Sequence, residues 1–181
     1  CKDDNILTVN CDETSTSQTK EITGIVGYDV IQTTDCNYLI TGISDNKSTL
    51  LTKIDASGNE LWFKSYDEIS GNNWGKSISK TNDEGYIIGA NQNTIIKSDS
   101  DGNLEWAKKL NYSVNHFVED AIQTKNGEFI VVGGTGGDPL TPSQIKGQAF
   151  VLRLSQDGNE VQWIKRYGIS NTPNDSFWGV V

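Results

Sequence analysis

SDSDGNLEWAKKL, residues 98–110, occurs in this chain three times in related form. DASGNELWFKSY fills residues 55–66 and SQDGNEVQWIKRY fills 155–167. Each copy reads as the end of a short apolar strand, a turn of Asp, Gly and Asn, and a second strand carrying one Trp. The turn glycines Gly58, Gly102 and Gly158 lie 44 and 56 residues apart, and Trp62, Trp106 and Trp163 lie 44 and 57 apart. Repeats at such a period signal stacked units, and they outrank any single-residue reading.

Two further blocks recur upstream of each turn. TTDCNYLITG (33–42), TNDEGYIIGA (81–90) and TKNGEFIVVGG (124–134) form one. YDVIQT, GKSISKT and VEDAIQT, ending at Thr33, Thr81 and Thr124, form the other, each led by a bulky apolar residue, Val26, Trp74 or Phe117. Each unit therefore predicts four short strands. In the second unit they fall at about 75–81, 85–91, 94–98 and 103–110, by the rule that short apolar runs between Gly, Asn and Asp clusters are strands. Asp-Gly and Gly-Asn supply the positive φ that tight turns need, and helical periodicity is sustained nowhere.

Four strands per unit of 40 to 50 residues predict an all-β chain, a β-propeller of four-stranded antiparallel blades. The blades fall at about 26–73, 74–116 and 117–177, with Trp178 in SFWGVV opening a fourth. Three blades and a start lead us to expect part of a larger propeller. The pattern Asp-Gly-Gly-Tyr-apolar-apolar-x-Gly, then apolar-Lys-x-Asp-x-x-Gly-Asn-x-x-Trp, over residues 26–181, resembles the repeats of secreted β-propeller lipoproteins of Bacteroidota. The terminal Trp is similar, more weakly, to the blade motif of quinoprotein propellers. The resemblance implies a fold and an address; it carries no active site.

The address rests on residues 1–20. Cys1, then Lys2-Asp3-Asp4-Asn5 and a polar Ser/Thr-rich tract to Lys20, look like a lipoprotein N-terminus and tether. This implies acylation at Cys1, removal of a signal peptide and display at the outer membrane or cell surface; a cut falling by chance at a Cys is the alternative. Asp3-Asp4 is similar to a surface-export signal. No run of 18 apolar residues exists, so the expected membrane contact is the lipid alone. A net charge of −9 argues against nucleic acid, which wants basic surface. Cys11 and Cys36 are open between a disulfide, which an oxidising compartment permits, and two free thiols.

Candidate chemistry is sparse. His116, the single His, lies in the inter-blade link NYSVNHFVED and reads as solvated or structural rather than catalytic. Asp99-Ser100-Asp101-Gly102-Asn103 resembles the start of a calcium loop, but its carboxylates change between copies while Gly-Asn survives, which is turn behaviour. GGTGG (133–137) has no following helix or Lys-Ser/Thr, so no phosphate loop. Carboxylate pairs cannot be picked from 24 acidic residues. No cofactor is expected. Trp62, Trp106 and Trp163, with Gly58, Gly102 and Gly158, read as inter-blade packing, whereas Trp74 and Trp178 fall in loops at one end. The third unit carries an insertion, TGGDPLTPSQIKGQ (135–148), long enough to suggest function; Thr141, Ser143, Gln144 and Lys146 make it the candidate ligand loop, against a tolerated surface insertion. The expected function is a non-catalytic binding or scaffold module for a protein or glycan. The alternatives are part of an enzyme or quinoprotein-like propeller whose active site lies in other blades, or a sensor or assembly subunit.

Overall fold

Tight turns at shared positions cut the chain into strands. The structure, a computed structural model, describes residues 11, 19–69, 73–110, 116–135, 148–167 and 177–181. Among these residues every regular element is a strand. The first sheet holds β1 (Ile25–Gln32), β2 (Tyr38–Ser44), β3 (Thr49–Ile54) and β4 (Glu60–Ser65). The second holds β5 (Gly75–Lys80), β6 (Tyr86–Ala90), β7 (Thr94–Ser98) and β8 (Leu104–Lys109). The third holds β9 (His116–Gln123), β10 (Phe129–Thr135), β11 (Ala149–Leu154) and β12 (Val161–Tyr167). Each sheet is antiparallel with its strands in chain order, and the expected strands of the second unit agree with β5–β8 to within a residue. His116, expected in a link, is instead the first residue of β9, paired with Thr135.

The turns explain the repeat. Between the first two strands of each sheet, Cys36, Glu84 and Gly127 donate their N–H to the carbonyls of Thr33, Thr81 and Thr124. All three lie at positive φ, 63°, 63° and 85°, the left-handed region that turn residues occupy. Between the last two strands, Gly58, Gly102 and Gly158 do the same toward Asp55, Asp99 and Ser155. The third copy closes one residue later, Ser155 N–H reaching Glu160 rather than an Asn, which accounts for its longer Gly-to-Trp spacing. Asp99 spends its carboxylate on this geometry: Oδ1 accepts from Asp101 and Asn103 N–H and Oδ2 from Asn103 Nδ2. That is the turn reading of the calcium-like segment.

Burial orders the sheets. Every residue of β6 and β7 is buried, so the second sheet is apolar on both faces rather than one. Ile88 and Ile96 join Leu39, Leu51 and Tyr66 of the first sheet in one core. Their sequence neighbours Ile87 and Ile95, pointing the other way, join Val118, Phe129 and Leu152 of the third sheet in a second core. The sheets thus pack face to face in chain order. Trp62 and Trp106 sit at these joints. A Cβ built on Gly102 would stand 2.7 Å from the Trp62 ring, and one on Gly158 2.8 Å from the Trp106 ring. Each of these two indoles lies against the next sheet's turn, where only Gly leaves room. Two residues on, Lys64 Nζ reaches Asn103 Oδ1 at 3.0 Å and Lys108 Nζ reaches the Asn159 carbonyl at 2.5 Å. Trp106 also meets Phe129 edge-on at 5.4 Å. Both indoles are half-buried rather than enclosed.

Candidate functional site

The first strand of each sheet departs from regular pairing at the same place. Residues between Gly27 and Asp29, Gly75 and Ser77, and Val118 and Asp120 are skipped in the register. Each skip is a β-bulge, with Tyr28, Lys76 or Glu119 as the extra residue. Bulges re-aim side chains and gather beside binding sites. Here β5 lies against both β1 and β9, so three equivalent bulges open onto one cleft of about 480 Å³. Tyr28 and Asp29 supply one wall, Lys76 to Ser79 the floor, Glu119 and Asp120 the other wall, and Trp178 the rim.

In the first and third sheets the residue after the bulge reaches across to backbone outside its own sheet. Asp29 Oδ1 accepts from Val30 N–H at 2.8 Å, and its Oδ2 accepts from Ile78 N–H of the second sheet at 2.9 Å. Asp120 repeats this with Ala121 N–H at 2.8 Å and Val180 N–H at 2.9 Å. Ser77 holds the same place in the second sheet with a shorter side chain. Its Oγ is buried and has no hydrogen-bond partner, a costly state that an incoming polar group would relieve. Lys76 Nζ pairs with Glu119 Oε1 at 2.6 Å and sits 5.5 Å from the centre of the Phe117 ring. Tyr28 stacks on Trp74, ring centres 6.3 Å apart at 20°, while the Trp178 indole is 80% exposed.

This lining offers charge, hydrogen bonds and aromatic faces. It includes no His or Cys, hence no nucleophile–base pair of the Ser-His or Cys-His kind. Both oxygens of Asp29 and of Asp120 already receive backbone amides, which fixes their orientation. The arrangement is suited to holding a ligand.

The residues singled out in the sequence are distributed otherwise. Cys11 and Cys36 form a disulfide, Cα atoms 5.3 Å apart; of the two alternatives left open, the bonded one is the state of the structure. Trp62, Trp106, Gly58, Gly102 and Gly158 belong to the sheet joints, with Lys20 rather than a Trp against Gly58. Trp163 is half-buried under Lys165 Nζ, 5.7 Å from its ring. Cys1, the tract 1–10, and Thr141, Ser143, Gln144 and Lys146 lie outside the described residues, as does the side chain of His116. Of the loop tryptophans, Trp178 borders the cleft and Trp74 backs Tyr28. The other cleft residues were missed, although they stood in view in the aligned block. YD, KS and ED precede its apolar alternation, and polar pairs at one point in three inner strands signal a shared bulge.

No family model matches this sequence, and no curated protein matches it. Among solved structures, the chain is similar to a protein of unknown function from Bacteroides caccae, at 14% identity and a TM-score of 0.53. The match covers 81% of this chain and 48% of that one, so the chain spans about half the length of the structure it matches. At this identity the likeness concerns fold alone.

Proposed function

We propose that this chain is a non-catalytic binding module built as propeller blades, presenting the cleft between β1, β5 and β9 to a protein or glycan. The observation that carries the reading is the threefold bulge, which places Tyr28, Lys76 and Glu119 around one opening. Face-to-face packing of four-stranded sheets in chain order, with first strands adjacent, supports the propeller part. Sheets so arranged converge on their first strands, where propellers keep their channel. The lipoprotein resemblance of residues 1–20 extends the proposal to an exported protein held at the outer membrane or cell surface by a lipid on Cys1. Palmitate labelling of cells carrying the intact gene, wild type against Cys1→Ser, tests that part.

The binding part is tested with immobilised peptides and glycans probed with the wild type and with a Tyr28→Ala/Trp178→Ala variant. Both side chains are more than half exposed, so the variant should fold. At least one ligand class should bind the wild type and lose about tenfold or more in the variant. Equal binding by both proteins across all ligands would remove the cleft from the account.

A further inference from the structure

Charge inside the cleft is unbalanced. Lys76, its cation, is neutralised by Glu119 at 2.6 Å. Asp29 and Asp120 face the same opening, and among the described residues neither has a cationic partner. Among the described residues their hydrogen bonds come from backbone amides. Each carboxylate is therefore oriented by amides while, among the described residues, its charge meets no ion-pair partner. A cleft walled by one sign of charge concentrates field and draws in the opposite ion, and the chain's net charge of −9 acts in the same direction.

Two independent features point to a ligand at this place. Ser77, 7% exposed and on the cleft floor, keeps an Oγ without any partner. Its equivalents Asp29 and Asp120 use this position to bind an N–H, so Ser77 is the one of the three bulge positions where a donor is missing. The second feature is aromatic. The Trp178 indole is 80% exposed and Tyr28 is 53% exposed, and both line the cleft. Aromatic faces left in water beside unpaired carboxylates attract organic cations, which gain from the ring quadrupole as well as from the charge.

We propose that the cleft takes a ligand bearing an alkylammonium or guanidinium group. The cation would lie between Asp29 and Asp120, donate a hydrogen bond to Ser77 Oγ, and carry its alkyl stem against Trp178. The inference rests on the cleft being the binding site and specifies the ligand's chemistry. Such a group could be a Lys or Arg side chain of a protein partner or a free polyamine.

The test is calorimetric titration of the full chain with spermidine, with an oligolysine peptide, and with the same peptide Nε-acetylated. The two cations should bind at low salt and weaken about tenfold or more at several hundred millimolar salt. The acetylated peptide should not bind. Trp178→Ala and Asp120→Asn should each weaken cation binding by about tenfold. Asp101→Asn, which removes an equal charge from an exposed turn outside the cleft lining, should leave it unchanged. Tighter binding of oligolysine would mark a side chain as the source, and tighter binding of spermidine a free polyamine. The proposal is overturned if neither cation binds, if acetylation has no effect, or if Asp101→Asn matters as much as Asp120→Asn. Ligands that bind through Tyr28 and Trp178 but are neutral would overturn the charge inference alone and leave the binding-module reading standing.

Discussion

Lys97 is 3% exposed and makes three contacts: Asp83 at 2.9 Å, Glu105 at 2.7 Å and the Ser98 carbonyl at 2.8 Å. The first and third sheets repeat the arrangement with Lys53–Asp35 at 2.7 Å and Arg153–Glu128. The recurring Lys was legible in the sequence as part of the repeat pattern. Its partner was not, because the acid shifts from the turn position of Asp35 and Asp83 to Glu128 in the third copy. Burial works against ionisation of Asp83, but hydrogen bonds from Thr81, Lys97 and Gly85 N–H outweigh it and hold the carboxyl at about 2. A depressed carboxyl stabilises the fold above its unfolded value near 3.8 and loses that contribution as pH falls toward 2. Melting temperature should therefore drop between about pH 4 and pH 2, and less steeply in Asp83→Asn. Tyr66 behaves oppositely. Burial pushes its hydroxyl up to about 12, so its contribution holds below about pH 10 and fades as pH rises through 12. Charge placement gives a further contrast. Asp83→Asn/Glu105→Gln strands a buried ammonium and should cost about 3 kcal/mol or more, whereas Lys97→Met leaves two solvated carboxylates and should cost about 1 kcal/mol. Denaturant titration distinguishes them.

Among the elements, the strands were legible because turn residues bracket them, and the joints were legible only in outline. Three recurring Trp residues implied packing between units. That the Trp62 and Trp106 indoles lie on Gly102 and Gly158 of the following turns could not be read, since these contacts join residues 40 and 52 apart on different sheets. Because Trp106 is half-buried rather than enclosed, truncation should cost less than a full core indole. We expect Trp106→Ala to lose about 2 kcal/mol in chemical denaturation, against the 3–5 kcal/mol typical of enclosed aromatics. A loss below about 0.5 kcal/mol would mean that the joint contributes little. The bulges of the first strands escaped sequence reading for a similar reason. A bulge is a relation between two strands, and Tyr28, Lys76 and Glu119 are unlike as residue types. What the sequence does carry is positional, the pairs YD, KS and ED at one point of the aligned block.

At the scale of the molecule, the stacking of sheets in chain order follows from a middle sheet that is apolar on both faces, while the disulfide ties residues before the first strand to it. Cys11 and Cys36 close a loop of sequence separation 25, for which chain entropy alone suggests about 3 kcal/mol. Reduction, or Cys36→Ser, should lower stability by about that amount without changing strand content by circular dichroism. The claim on which the whole account stands is that the repeat encodes packing between sheets, with Trp62 and Trp106 each seated on the next sheet's turn Gly. A double-mutant cycle of Trp106→Ala and Gly158→Ala measures this contact directly. Gly158 lies at φ 70° and an added Cβ would stand 2.8 Å from the Trp106 ring, so the methyl group meets both strained backbone and the indole. Gly158→Ala should cost about 2 kcal/mol or more in the wild type but only about 1 kcal/mol once Trp106 is Ala, the backbone cost alone remaining. A coupling of about 1 kcal/mol is the expected result. Additivity within about 0.3 kcal/mol would contradict the joint and, with it, the order in which the sheets are stacked.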